Sequence, residues 1–128
     1  MTRNDFFEAE LSHIMEHVNT DFEVRYAGGS AYMTNGQNVV RVMFHNSFSV
    51  DNFDALKVYV VNKDDGKIDT SYVKFTNALG LKYGNASVGK IGPHIWVDRE
   101  PHWAFYQPVE DDYKKLAETI QLMIDLYL

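Results

Sequence analysis

Two histidines, an aspartate and two tryptophans lie within ten residues of each other near the C-terminal end of the chain: His94, Trp96, Asp98, His102 and Trp103. On a strand, alternation places His94, Trp96 and Asp98 on one face, with His102 across the following turn. Imidazole and carboxylate groups in such an arrangement bind metal ions or exchange protons. The alternative is that Trp96 is a core residue and the polar groups line a solvent-exposed edge. The two tryptophans are also suited to anchor a protein partner.

A second histidine pair, His13 and His17, has the four-residue spacing that brings two side chains together on a helix. Glu10 precedes His13 by three residues, a spacing found in carboxylate-bridged metal sites. The sequence offers no HExxH motif, no second Glu-x-x-His and no evident third ligand. We therefore favour the interpretation that these histidines lie on a helix flank beside Phe6, facing solvent or a partner.

Other catalytic signatures are missing from the sequence. It contains no Gly-x-Ser-x-Gly, phosphate-binding loop or dinucleotide fingerprint, and it has no cysteine for a disulfide, thiolate metal site or nucleophile. We therefore predict a protein without enzymatic activity or cofactor. Eighteen acidic against twelve basic residues give a net charge of −6, which argues against nucleic acid and anionic membranes as partners. With no apolar run long enough to cross a membrane and no signal peptide, we expect a cytoplasmic protein.

The periodicity of apolar residues predicts one α+β domain over residues 1–128, with elements in the order α-βββ-α-ββ-α. Helices are expected to pack on an antiparallel five-stranded sheet. Asn35-Gly36 predicts a type I′ hairpin turn, in which both residues adopt positive φ. Ile68 to Gly80 predicts a helix, with a strand from Tyr72 to Phe75 as the alternative. His94–Val97 and Trp103–Tyr106 predict the two strands of a final hairpin.

The last segment, from Gln107 to Leu128, predicts an amphipathic helix that covers the sheet. Three acidic residues occupy its first turn, near the positive end of the helix dipole. Leu122 and Leu126 lie away from its apolar stripe, and Phe6 lies off the stripe of the first helix. Several such residues on two helices predict a contact surface for a partner or a second copy. The stripe itself consists of Val109, Tyr113, Leu116, Ile120, Met123 and Tyr127.

The order of elements resembles the fold shared by type III secretion chaperones and YbjN-like proteins. The likeness is strongest in the second half, where Thr76-Asn77-Ala78-Leu79-Gly80 and Ala86-Ser87-Val88-Gly89-Lys90-Ile91 precede the predicted hairpin and final helix. The resemblance implies a homodimer that binds another polypeptide and has no catalytic site. It also implies a dimer contact built around the middle helix, with Tyr72, Phe75 and Leu79 as candidates, although simple burial on the sheet is the alternative for these three.

We therefore predict a homodimeric protein-binding module, chaperone-like or regulatory. One alternative is a metal-dependent enzyme using His94, Asp98 and His102. Another is an acidic inhibitor of a nucleic-acid enzyme, whose carboxylates replace phosphates. The predicted partner or dimer contacts are Phe6, Tyr72, Phe75, Leu79, Trp96, Trp103, Leu122 and Leu126.

Overall fold

A computed structural model describes residues 2–46, 52–53, 55–78, 84–87, 94–99, 102–106 and 109–128. Within these residues the protein has the predicted α+β fold, with helices packed on an antiparallel five-stranded sheet. The strand order in this sheet is β1-β2-β3-β5-β6. The helices are α1 (Arg3–Met15), α2 (Phe75–Ala78) and α3 (Glu110–Tyr127), and the strands are β1 (Arg25–Ala27), β2 (Ser30–Thr34), β3 (Asn38–His45), β4 (Asn52–Phe53), β5 (Ala55–Asn62), β6 (Gly66–Lys74), β7 (Gly84–Ser87), β8 (His94–Arg99) and β9 (His102–Tyr106).

The hairpin between β2 and β3 turns at Asn35-Gly36, as predicted. Only Gly36 has a positive φ, of 94°, so the prediction of positive φ at both residues is wrong. Instead, the Asn35 side chain holds the turn. Its Oδ1 atom accepts hydrogen bonds from the backbone N–H groups of Gln37 (2.9 Å) and Asn38 (2.8 Å). Asparagine therefore acts here through its side-chain oxygen rather than through a left-handed backbone.

The core lies between the two long helices and one face of the five-stranded sheet. Alternate residues of β2, β3 and β5 point to this face and are almost fully buried, as strand periodicity requires. α1 contributes its predicted stripe, and α3 buries Leu116, Ile120 and Met123. The predicted apolar stripes are the buried ones because a helix or sheet can bury its apolar face only by packing on the apolar face of another element. The strand residues concerned are Ala31, Met33, Val40, Val42, Leu56, Val58 and Val60.

The prediction of a helix over residues 68–80 is wrong for most of its length. Residues 66–74 form β6, which pairs along its length with β5, and only Phe75–Ala78 form a short helix. β6 follows β5 through a short turn at Asn62–Gly66, so antiparallel pairing satisfies its backbone groups next to a strand already in place. The β-branched and aromatic residues Thr70, Tyr72 and Val73 fit this pleated environment.

The predicted final hairpin is present as β8 and β9, but it does not join the five-stranded sheet. It belongs to a second sheet with strand order β4-β7-β8-β9. The fifth strand of the first sheet is β6 instead, the segment that the sequence pattern had assigned to a helix. The helical misassignment of residues 68–80 therefore also misplaced the hairpin.

Candidate functional site

The residues of the predicted metal or acid–base cluster lie on β8 and β9 of the final hairpin. The antiparallel register pairs Asp98 with Trp103 and Arg99 with His102. The side chains of these residues, and those of His94 and Trp96, lie outside what the structure describes. Among the residues that are described, no group of three or more histidine, aspartate or glutamate side chains could hold a metal ion.

His13 on α1 and His17 just after its end both face α3 rather than open solvent. His13 Nε2 lies 2.5 Å from Glu110 Oε1, and His17 Nε2 lies 2.8 Å from Glu110 Oε2. The His13 ring stacks on Tyr113 with centroids 4.0 Å apart, and the Tyr113 hydroxyl donates to Glu10 Oε2 at 2.9 Å. We call His13, His17 and Glu110 the helix bridge. Sequence reasoning missed Glu110 because its partners are more than ninety residues away along the chain.

The contacts of the helix bridge change the pKa values of His13 and Glu110. The hydrogen bond that His13 donates to Glu110 raises the pKa of His13, and the hydrogen bonds that Glu110 accepts from His13 and His17 lower the pKa of Glu110. Burial raises the pKa of Glu10 and, with the neighbouring acidic groups, that of Tyr113. The bridge is therefore an ion pair when histidine is protonated.

Some predicted contact residues serve the core. Phe75 is only 1% exposed and packs in the main cluster with its ring 6.3 Å from that of Phe44, so a role in a partner contact is wrong for this residue. Its position at the end of β6 turns it toward the helices. Phe6 is partly buried against the same core, with its ring 5.7 Å from that of Phe7. Leu79 and the side chains of Trp96 and Trp103 lie outside the described residues.

Three other predicted contacts are exposed: Tyr72 by 49%, Leu122 by 62% and Leu126 by 71%. Ile68 and Val109 complete the set of exposed large apolar residues in the part of the chain that the structure describes. All five lie on β6 or α3, with Val109 immediately before the helix.

These two elements are neighbours, because the hydroxyl of Tyr127 on α3 donates to Asp69 Oδ2 on β6 at 2.8 Å. The backbone N–H of Thr70, the next residue on β6, donates to Asp69 Oδ1 at 2.8 Å. We call Ile68, Leu122 and Leu126 the β6–α3 edge, and we leave out Tyr72 because its register position puts it on the opposite face of the sheet from Asp69.

The sheet face opposite the helices has a different chemistry. The register places Arg25, Tyr32, Arg41, Tyr59 and Thr70 in one row across all five strands. A neighbouring row contains Ser30, Met43, Lys57 and Tyr72. In the described residues, the helices pack on the other face, so we call this side the helix-free face.

Arg41 lies at the centre of the helix-free face and is fixed from three sides. Its Nε donates to Ser30 Oγ at 3.1 Å, and an Nη1 hydrogen is donated to the Tyr59 hydroxyl at 2.5 Å. Its guanidinium carbon lies 5.2 Å from the ring centroid of Tyr32 and 5.5 Å from that of Tyr59. Lys57 Nζ lies 5.1 Å from the Tyr59 ring centroid. The alternation of basic and tyrosine residues along the strands was the sequence signal that could have indicated this face.

Comparisons with known proteins identify no relative: no family model, curated protein or solved structure matches the chain. The resemblance to secretion chaperones and YbjN-like proteins therefore stays a prediction. Among the described residues, none of the helices combines the length and apolar character needed to cross a membrane.

Proposed function

We propose that this protein is a non-enzymatic protein-binding module that acts as a homodimer. One observation carries the proposal. Four of the five exposed large apolar side chains of the described residues lie on two adjacent elements, β6 and α3. Isolated exposed apolar residues are common on soluble proteins, but several on neighbouring elements are typical of a surface that contacts another chain.

The chemistry of the β6–α3 edge favours a second copy as the occupant. Leu122 and Leu126 are one turn apart on α3, so two copies related by a twofold axis would place each pair against the same pair of the other. β6 is an edge strand of nine residues, whereas β1 at the opposite edge has three. Long edge strands that bear exposed apolar side chains are common sites of association.

Introducing positive charge into the apolar contact tests the proposal. The double variant Leu122→Lys and Leu126→Lys should shift the protein from dimer to monomer in light scattering coupled to size-exclusion chromatography. Each lysine would place a charge in an interface that needs apolar contact, and the two copies would repel each other. The exposed fractions of the two leucines predict little loss of folding stability.

The matched control is Ala9→Lys, which places the same charge at an exposed apolar position on α1 rather than on α3 or β6. This variant should keep the solution mass of the wild-type protein. A wild-type protein that is monomeric at all accessible concentrations would contradict the homodimer. A dimer that survives the double leucine variant would place the interface elsewhere.

A further inference from the structure

We propose that the helix-free face of the five-stranded sheet is a second binding surface, distinct from the dimer contact, and that it takes an acidic segment of a polypeptide through carboxylate groups.

The first argument is the local charge. Arg25, Arg41, Lys57 and Lys74 occupy positions on this face, and no aspartate or glutamate occupies a strand-paired position there. Glu23, just before β1, borders the face. The protein as a whole carries a charge of −6. Apart from Glu23, the strand-paired positions described on this face carry basic and no acidic side chains, and the face is therefore complementary to an anionic ligand.

The second argument is the preorganisation of Arg41. Hydrogen bonds to Ser30 and Tyr59 and contacts with the rings of Tyr32 and Tyr59 fix the guanidinium before any ligand arrives. A fixed arginine loses less conformational freedom on binding than a free one. Its planar fork matches the two oxygens of a carboxylate.

The third argument separates a carboxylate ligand from a nucleic acid. Single-stranded nucleic acid binds open sheets by stacking its bases on free aromatic rings. Here Arg41 lies over the rings of Tyr32 and Tyr59, and Lys57 also lies over Tyr59. These rings already hold the protein's own cations in place, so they serve to position charge rather than to stack bases.

A shallow concavity at the β1–β2 end of the face gives the ligand a place to anchor. Glu23, Arg25, Tyr32, Thr34 and Val39 line it, and its volume is about 300 Å³. The lining combines the apolar side chain of Val39 and the ring of Tyr32 with the guanidinium of Arg25 and the carboxylate of Glu23. An extended segment could lie along the row from Arg25 to Arg41 with one side chain in this concavity.

Binding of three labelled probes by fluorescence anisotropy tests the inference: a twelve-residue glutamate–serine peptide, a lysine–serine peptide of equal length and a twelve-nucleotide oligothymidylate. We expect the acidic peptide to bind and the basic peptide to fail. The affinity should fall as NaCl is raised from about 50 to about 500 mM, because exposed charge contacts are screened.

Variants then locate the contact. Arg41→Met should weaken binding of the acidic peptide by about tenfold, the size expected for one charge-assisted contact. Lys57→Met should weaken it by a smaller factor and is the check in case Arg41→Met fails to fold. Lys114→Met, which removes the same charge from the exposed surface of α3, is the matched control and should leave the affinity unchanged.

Three results would overturn the inference: no binding of the acidic peptide, equal loss for Lys57→Met and Lys114→Met, or tighter binding of the oligothymidylate. The last result would assign the face to nucleic acid. The dimer is tested separately, because the leucine variants leave the helix-free face intact and should still bind the acidic peptide.

Discussion

The two faces of the five-stranded sheet use the same strands for opposite purposes. Val40 and Val42 point to the helices and are fully buried, whereas their neighbour Arg41 points the other way and holds two tyrosines. One face is packed by apolar contact, and the other is organised by hydrogen bonds and cation–π contacts. The comparison teaches that the net charge of a protein does not describe each of its surfaces, because an acidic chain can still present a sheet face whose paired positions carry basic and no acidic side chains.

The largest effect should come from a matched pair of methionines on the two faces. Met33 on β2 is 1% exposed in the core, and Met43 on β3 is partly buried on the helix-free face. Met33→Ala should lower the free energy of unfolding by about 2–5 kcal/mol, because it leaves a cavity. Met43→Ala should cost about 1 kcal/mol or less. Urea denaturation measures both, and equal losses would show that the second face is also a packed core.

The next largest loss of stability should come from the close approach of α1 to the sheet at Gly29. Gly29, between β1 and β2, has a φ of 78°, and a Cβ atom there would lie 2.8 Å from Asn4 Oδ1. Gly29→Ala should destabilise the protein by about 1–3 kcal/mol, because the backbone conformation is strained for alanine and the Asn4 side chain must move. Gly28→Ala is the control, since it has a positive φ of 58° but nothing within 4 Å of the added atom. Thermal unfolding of the two variants separates backbone strain from steric contact.

A smaller effect is expected on the helix-free face. Tyr59→Phe removes the hydroxyl that accepts from Arg41 but keeps the ring below the guanidinium. The loss in unfolding free energy should be about 0.5–1.5 kcal/mol, the usual net value of one hydrogen bond. If Arg41 is held mainly by the rings, denaturation will show no change and the loss will be confined to Tyr59→Ala.

The smallest effect belongs to the helix bridge, which is exposed, and it depends on pH. Because its pKa is raised, His13 contributes to the stability of the folded state. This contribution is complete below the ordinary histidine pKa of 6.5 and is lost as pH rises through the raised pKa. Because its pKa is lowered, Glu110 also contributes to stability. This contribution is present above the ordinary pKa of 4.5 and is lost as pH falls through the lowered pKa. The two together are strongest between about pH 4.5 and 6.5.

Glu110→Gln should therefore lower the melting temperature more at about pH 5.5 than at about pH 8.5. Asp111→Gln is a suitable control, because Asp111 is exposed in the same turn and its ion pair is with Lys115 instead. A difference between wild type and Glu110→Gln that is constant across this range would mean that the bridge carries no charge pairing.

The sequence allowed much of the fold to be predicted and little of the candidate surfaces. Apolar periodicity identified α1, α3 and the strands β2, β3, β5, β8 and β9, but not β4, β6 or β7, and it found the exposure of Leu122 and Leu126. It failed at residues 68–74, where spacing fits both a helix and a strand and the choice depends on pairing with β5. It also did not identify the contacts of Arg41 and Glu110, because their partners lie on other strands or on another helix. Contacts of this kind are set by register and packing, which local patterns do not contain.

The hydrogen bond from the Thr70 N–H to the Asp69 side chain affects how β6 meets other chains. An edge strand with free N–H and C=O groups is a template for uncontrolled strand addition and fibril growth. With one N–H already engaged by a carboxylate, a continuous ladder along β6 would be interrupted near its middle. The exposed apolar side chains of β6 therefore lie beside a backbone N–H that is not open to strand addition.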